Sequence, residues 1–284
     1  MKIILSRKGF DSSFGGCASP IFEDGSLMSL PIPEGFAGVP LPTTPITYPE
    51  VQGSPNVGEL VEDLTRHLKE PVKASDLVHL DPDLRRESLP RKLGWRPMFG
   101  QSHAAQRHLQ NHGIGEGDIF LFFGWFREVE KHDDRWNFKR GARDLHVFFG
   151  WLKVGEVWHL AEDLTSIPEW AKSHPHATPN YGPNNTIYVA AETRKGYSAG
   201  IFPRITEHLT LTCPGSSRSC WRLPAWFHPV KDKSCLSYHS NPKRWELKGG
   251  YTYLTSVARG QEFVLDSSDY SEAEDWARGL IAKN

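Results

Sequence analysis

The chain has 284 residues, of which 38% are hydrophobic and 24% are charged, and its formal net charge is -1. This composition indicates a folded protein and excludes a disordered one, and near neutrality argues against bulk, sequence-independent coating of nucleic acid. The chain has no apolar run of about 18 residues, and the first apolar stretch ends at Leu5, so neither a membrane span nor a signal peptide is expected. We therefore expect free cysteine thiols and a cytoplasmic location.

The predicted elements begin with a buried strand over residues 2–6, which leads into a polar loop rich in glycine. A helix is predicted from Val57 onward, because apolar residues recur there at steps of three and four and Asn56 can cap it. A second helix is predicted over residues 102–112, with Gly113 at the left-handed position that ends it.

Two segments resemble each other, Asp118–Trp125 and Asp144–Trp151, and both end in Phe-Phe-Gly-Trp. They predict two neighbouring strands of one sheet that is covered on both faces, with a charged and mobile stretch over residues 131–143 between them. The remaining pattern predicts strands at 185–191, 208–212 and 262–265, a loop-dominated stretch over 213–245, and a final helix capped by Ser271. The expected fold is α+β: one domain over residues 1–284, with a central mixed β-sheet, a few flanking helices and long loops rich in proline and glycine.

Several long motifs resemble one known family. They are Ile3–Ser13 with Gly15, Gly16 and Ser19–Ile21 behind it, Asp118–Trp125, His146–Glu156 and Arg259–Asp266. Together they resemble the third family of nucleotide-modification-associated domains, from the first strand to the last. The resemblance implies a role in phage and bacterial systems that make modified DNA bases, alongside partner proteins of such a system, but it implies no particular catalytic residue.

The loop after the first strand is the first candidate site. Arg7 and Lys8, with the hydroxyl groups of Ser6 and Ser12, suit a phosphate group. Asp11 is a candidate catalytic residue, as a general base or as the partner of a ribose hydroxyl. The alternative is a solvated loop whose serine and aspartate side chains satisfy their own turns. The loop lacks the Walker pattern, which excludes a P-loop.

The polar segment from His174 to Asn184 is the second candidate site. His174 and His176 are candidate catalytic residues, because two histidines two residues apart can share a metal or supply an acid and a base near neutral pH. Asn180 and Asn184 are candidates for reading the edge of a base, since an amide both donates and accepts. The alternative is a polar loop stiffened by proline, with asparagine in its turns.

A third candidate site mixes cations with aromatic side chains, the combination that stacks a base and holds its phosphate. Its candidate binding residues are Arg222, His239 and Arg244, and the aromatic residues near them are Trp221, Trp226, Tyr238 and Trp245. An ordinary packed loop would contain the same residue types.

A structural zinc site usually contains a closely spaced cysteine pair. No such pair is present among the cysteines and histidines of the later part of the chain, so no metal site is predicted from Cys213, Cys220, His228, Cys235 and His239. The sequence carries no nicotinamide, flavin or ATP fingerprint, so the cofactor stays unnamed. The function hypothesis is an enzyme of nucleotide or DNA-base modification, a transferase or hydrolase that binds a nucleotide or nucleic acid. Its rivals are a non-catalytic module that recognises a modified base in an aromatic cage, and a structural subunit of a larger complex.

Overall fold

The computed structural model describes residues 1–35, 44–160, 164, 166–178, 181–182, 184–194, 196–231 and 233–283. Within these residues the helices are α1 (Val57–Thr65), α2 (His103–Asn111) and α3 (Ala273–Lys283). The strands are β1 (Lys2–Arg7), β2 (Ser19–Ile21), β3 (Ile32–Pro33), β4 (Val78–His79), β5 (Met98–Gln101), β6 (Ile119–His132), β7 (Arg135–Phe138), β8 (Leu145–His159), β9 (Thr186–Ala190), β10 (Glu192–Thr193), β11 (Gly196–Tyr197), β12 (Ala199–Ile201), β13 (Cys220–Pro224), β14 (Trp245–Lys248), β15 (Tyr251–Thr255) and β16 (Glu262–Asp266).

Nine of these strands form the main sheet, in the order β16-β1-β6-β8-β9-β5, with β2 and β7 also paired to β6 and β12 paired to β8. Strands β1 and β2 run parallel to β6, and the other pairs are antiparallel. A separate three-stranded sheet has the order β13-β15-β14. The fold is therefore α+β with a central mixed sheet, which confirms the predicted fold class.

The two Phe-Phe-Gly-Trp segments lie in β6 and β8, which pair with each other along the centre of the sheet. Phe122 pairs with Gly150 and Phe123 with Phe148, so Phe149 is an extra residue and forms a bulge. The phenylalanine side chains of both segments are buried and the tryptophans Trp125 and Trp151 are half-buried, so successive residues on both faces of the sheet are covered. The sequence-based prediction of neighbouring, fully covered strands agrees with this arrangement.

The charged stretch over residues 131–143, which was predicted to be a mobile connection, forms a β-hairpin in its first half. Strand β6 continues to His132 and returns as β7, with His132 paired to Arg135. The two intervening residues, Asp133 and Asp134, have φ values of 50° and 60°. These values suit the two-residue turn that matches the twist of a hairpin, and aspartate tolerates this conformation better than most residues.

Helices α1 and α2 lie where the periodicity predicted them, and the Asn56 side chain accepts the main-chain N–H of Glu59 at 3.2 Å. The strand predicted over residues 208–212 is replaced by two isolated bridges, at Thr210 and Thr212. The stretch over 213–245 is less irregular than predicted, because β13 lies within it. None of the helices in the described part of the chain is both long and apolar enough to cross a bilayer.

The segment between β1 and β2 leaves the sheet although both strands pair with β6. Strand β1 pairs with β6 up to Phe123, and β2 resumes the pairing at Phe126. Lys8 follows directly after β1, and its main-chain N–H donates to Phe123 at 2.9 Å. The chain therefore turns off the sheet immediately beyond a fully hydrogen-bonded strand, which fixes the first residues of the loop.

Candidate metal centre

A cavity of about 570 Å³ opens where the end of β1, the junction of β5 with α2 and the segment before β16 come together. Ligand sites in proteins typically have volumes of roughly 300–1,000 Å³. The cavity is lined by polar and aromatic side chains that include Lys8, His79, Asp81, His176, Tyr181 and Tyr238. The cavity has the volume of a small-molecule site, and its wall contains imidazole, carboxylate and ammonium groups that could act on a bound ligand.

Three side chains of the cavity wall form a potential metal site. One ligand atom from each of His79, Asp81 and His176 lies within 4.8 Å of the others, and the three residues are at most 9% exposed. With metal–ligand bonds of about 2.1 Å, the donor atoms of one ion lie roughly 3–4 Å apart. Small side-chain rotations would therefore bring the three donors onto a common ion.

Each histidine of this cluster is oriented by a hydrogen bond at Nδ1. His79 Nδ1 lies 2.8 Å from Glu34 Oε2, and His176 Nδ1 lies 2.8 Å from Asn185 Oδ1. Both oxygens are acceptors, so Nδ1 is the donor in each ring and Nε2 is the nitrogen left to face a metal ion. Histidine ligands of metals are commonly oriented in this way by a carboxylate or carbonyl group.

Asp81 is held by its Oδ1 atom, which accepts the main-chain N–H of Gly100 at 2.8 Å. His174 Nε2 lies 3.2 Å from the same oxygen, close but poorly aligned for a hydrogen bond. Burial opposes ionisation of Asp81, but His174, His176 and Lys8 outweigh it and lower the pKa of the carboxyl group. Asp81 is thus a buried anion, and Oδ2 has no partner among the described residues.

His176 is neutral at physiological pH, because burial lowers its pKa to about 3. Neutral imidazole is the form that binds metals. The ring lies against strand β5 at Gly100, where a Cβ atom would come within 2.3 Å of the ring. Gly100 therefore provides the space that the His176 ring occupies, and Tyr181 packs on this ring at 4.2 Å between centroids.

Lys8 places a cation in the same wall. Its Nζ atom lies 3.1 Å from Glu262 Oε1 and 4.4 Å from the centre of the Phe99 ring. The Gln101 amide donates to the same Glu262 oxygen at 2.7 Å. The lysine side chain is 10% exposed and its partner only 1%, so the pair is desolvated. A positive charge is thereby fixed beside the metal cluster.

The comparison with protein families gives one result. A family model described as nucleotide modification associated domain 3 matches residues 2–266, and this range includes the whole cavity wall. The chain belongs to this family. The match confirms the resemblance that the sequence motifs indicated, and no curated protein and no solved structure matches the chain.

In this nucleotide modification associated domain, Arg7, Lys8, Asp11 and His176 all line the cavity, although they came from two separate candidate sites. Arg7 donates to two main-chain carbonyl groups, at residues 257 and 258, and burial lowers the pKa of its guanidinium. Its side chain thus also anchors the segment that precedes β16. Ser6 is fully buried, and its Oγ atom has no hydrogen-bond partner among the described residues.

Asp11 lies in a turn that its own side chain stabilises. Its Oδ1 atom accepts the main-chain N–H groups of Ser13 and Phe14 at 2.6 and 2.8 Å. In this turn the Asp11 side chain accepts hydrogen bonds from its own loop, as the alternative interpretation of the loop expected. Ser12 is exposed on the same turn.

The other candidate residues lie around or outside the cavity. His174 lies behind Asp81 rather than in the wall. The Asn184 side chain bonds both main-chain groups of His103, at 3.0 and 2.7 Å, and so fixes the start of α2. Arg222, His239 and Arg244 are not part of the wall, and Asn180 lies outside the described residues.

Two members of the metal cluster, His79 and Asp81, were not candidates from sequence. The sequence feature that could have identified them is the His-x-Asp pattern where β4 ends. Residues two apart on an extended chain point to the same side, so this pattern can place two metal ligands together. The metal-binding patterns apparent in the sequence were the spacing of the cysteines and the His174–His176 pair. His176 was a candidate, but its partners lie 95 and 97 residues earlier in the chain.

Proposed function

We propose that this nucleotide modification associated domain is a metal-dependent enzyme that acts on a nucleotide or on a base in nucleic acid. The observation that carries the proposal is the cluster of His79, Asp81 and His176 in the wall of a ligand-sized cavity. Structural zinc sites are closed by four protein ligands, whereas catalytic sites combine three protein ligands with an open position. A three-residue cluster that faces a cavity fits the catalytic type.

The favoured reaction is hydrolysis of a bond in the substrate. A divalent ion held by the cluster would polarise the substrate and lower the pKa of a bound water, which supplies the nucleophile. Lys8 would stabilise negative charge that develops on the substrate, since its own charge is fixed in a desolvated pair. Glu34 and Asn185 would hold the two imidazole rings in the tautomer that binds the ion.

Oxidation is the second candidate reaction, because the same ligand set also fits it. Two histidines and one carboxylate are also the ligands of non-haem Fe(II) oxygenases. A recognition module is less well supported, because the aromatic cage it requires is not assembled. Trp221 and Trp245 are buried in the core, and Trp226 packs on Phe227.

The test is stoichiometric metal binding by the purified protein. We expect elemental analysis to find one first-row ion per chain, and calorimetric titration with Zn²⁺, Mn²⁺ and Fe²⁺ to give one strong site. The substitutions His79→Gln and His176→Gln should each weaken binding by roughly 100-fold. His208→Gln is the matched control, because His208 is exposed and lies outside the cavity.

Wild-type protein without a strong site, or His176→Gln protein with unchanged affinity, would contradict the proposal. A preference for Zn²⁺, with metal-dependent release of a hydrolysis product from nucleotide substrates, would support the hydrolytic reaction. A preference for Fe²⁺ with consumption of O₂ would support the oxidative one.

A further inference from the structure

Tyr238 is a large aromatic residue that stays exposed in the wall of the metal-site cavity. It is 48% exposed, although most large aromatic side chains of the described chain are buried. The other exposed large hydrophobic residues lie away from this cavity: Leu93, Val230, Leu247 and Tyr251. An exposed ring at the cavity requires an explanation other than core packing.

The ring of Tyr238 is held in one orientation. The His108 ring stacks on it with centroids 4.3 Å apart and planes 28° apart, and His108 is itself fixed by Ser237 Oγ at 2.9 Å. A Cβ atom on Gly260 would lie 3.3 Å from Tyr238 Cδ2, so the main chain at Gly260 lies close to the Cδ2 edge of the ring. The Tyr238 backbone has φ of +65°, which is unfavourable for a bulky residue and tends to occur at functional sites.

Gln261 supplies a polar residue to the same cavity wall as Tyr238. Its main-chain oxygen accepts the Arg7 N–H at 2.8 Å, so β1 fixes its position. Gln261 is exposed and lines the cavity, and no hydrogen bond joins its side chain to another described residue. A carboxamide both donates and accepts, which is the pairing that reads the edge of a base.

We infer that Tyr238 and Gln261 form a nucleobase subsite at the cavity, with the base stacked on the Tyr238 ring and its edge bonded to Gln261. This inference rests on the proposed function, because it places the substrate beside the metal cluster. Arg7 and Lys8 line the same cavity, although each also bonds a group of the protein, and we infer from these cations that the substrate class is a nucleotide, either free or within a single strand. Every base has a flat face to stack, and aromatic platforms bind single strands in this way.

The test measures binding of the four deoxynucleoside 5′-monophosphates, a single-stranded DNA decamer and deoxyribose 5-phosphate. Titrations use full-length protein with chelator present, so that metal binding does not contribute. Tyr238→Asn removes the ring while keeping a residue that tolerates positive φ, and Tyr238→Phe keeps the ring. Tyr251→Asn is the matched control, since Tyr251 is 43% exposed and lies outside the cavity.

We expect Tyr238→Asn to weaken binding of at least one base-containing probe by roughly 10-fold or more, and Tyr238→Phe and Tyr251→Asn to have little effect. Deoxyribose 5-phosphate should bind equally to all variants, and Gln261→Ala should change the order of affinity among the four bases. Affinity for monophosphates would identify a free nucleotide as substrate, and affinity confined to the decamer would identify a strand.

Three results would overturn the inference: wild-type protein that binds none of the base-containing probes, equal binding by Tyr238→Asn, or an equal loss for deoxyribose 5-phosphate. Metal titration of Tyr238→Asn separates this inference from the proposed function. A variant that binds metal normally but loses the base supports both. Wild-type protein that lacks metal but needs Tyr238 to bind nucleotides supports the subsite and contradicts the metal proposal.

Discussion

Two regions of the molecule contain the histidines, cations and aromatic residues from which a nucleotide site is built. One is the metal-site cavity, and the other is the three-stranded sheet of β13, β14 and β15 with the chain around it. In the second region Arg222 bonds Glu207 at 2.6 Å, and Arg244 donates to a main-chain carbonyl at 2.9 Å. Both guanidinium groups there bond groups of the protein itself.

The hydrogen bonds of His239 and His176 show how the two regions differ. Both are buried, and both use Nδ1 in a hydrogen bond of 2.8 Å. His239 Nε2 accepts the main-chain N–H of Val257 at 3.2 Å, whereas His176 Nε2 has no partner among the described residues. The two rings therefore differ in that the fold orients His176 at Nδ1 in the cavity wall and leaves its other nitrogen without a hydrogen bond to the described residues, rather than in residue type.

The largest expected effect is a loss of metal affinity in the variant Gly100→Ala, which changes no proposed metal ligand. The added Cβ atom would lie 2.3 Å from the His176 ring, so the ring must move off strand β5. We expect the affinity for Zn²⁺ to fall by roughly 100-fold, because a displaced ligand no longer meets the other two. Calorimetric titration of the folded variant measures this loss.

Gly115→Ala is the control for this prediction. A Cβ atom added at Gly115 would meet no atom of the described residues within 4 Å, and Gly115 lies outside the cavity wall. The affinity of this variant for Zn²⁺ should equal that of the wild type. Wild-type affinity in Gly100→Ala would show that His176 does not bind the ion.

Glu34→Gln should have the next largest effect. The Glu34 side chain is 1% exposed, and it accepts the Nδ1 proton of His79. Glutamine can keep this hydrogen bond but loses the negative charge that makes the imidazole a stronger donor to a metal. We expect roughly a 10-fold loss of metal affinity by titration. Glu50→Gln, at an exposed turn, should cause no loss, and an equal loss there would contradict a specific role for Glu34.

The central part of the fold could be predicted because its determinants are local in the sequence. The repeated Phe-Phe-Gly-Trp segments predicted the pairing of β6 with β8, and periodicity with the Asn56 cap predicted α1. The β6–β7 hairpin was missed because its exposed strands carry many charged residues. Its turn depends on Asp133 and Asp134 adopting positive φ, which composition did not reveal.

The candidate site could be predicted only in part, because distant segments form it. Lys8 and His176 were candidates from their own neighbourhoods. Their proximity depends on Gly100, on Asn185 and on the pairing of strands far apart in the sequence. Whether a histidine keeps a free nitrogen is decided by these tertiary contacts, so the sequence could not separate His176 from His239.

The next largest effect is on the pH dependence of stability, and it involves His176 of the cavity and His146 of β8, which accepts a hydrogen bond from Trp221 of the three-stranded sheet. Burial lowers the pKa of both His176 and His146 to about 3, from an ordinary value of 6.5. The unfolded chain therefore binds protons that the folded chain does not, so stability is full above about pH 6.5 and falls as pH decreases. Each histidine should cost about 2 kcal/mol between pH 6.5 and pH 5.

His146→Gln separates the two contributions. Glutamine can still accept the Trp221 indole N–H that His146 Nδ1 accepts at 3.0 Å, but it does not titrate. Urea unfolding at pH 7, 6 and 5 should show a shallower loss of stability for this variant, by about 2 kcal/mol at pH 5. An unchanged slope would mean that His146 has the same pKa in the folded and the unfolded protein.

The smallest effects are expected from Arg222→Ala and Arg244→Ala. Both side chains lie outside the cavity wall, and both bond groups of the protein itself. Their loss should change affinity for Zn²⁺ and for deoxynucleoside monophosphates by less than about twofold, and stability by less than about 1 kcal/mol. Binding of the DNA decamer is the more demanding measurement, because a strand could extend beyond the cavity. A 10-fold loss there would show that the three-stranded sheet binds the strand, since cations that pair within the protein would then exchange their partners for phosphate.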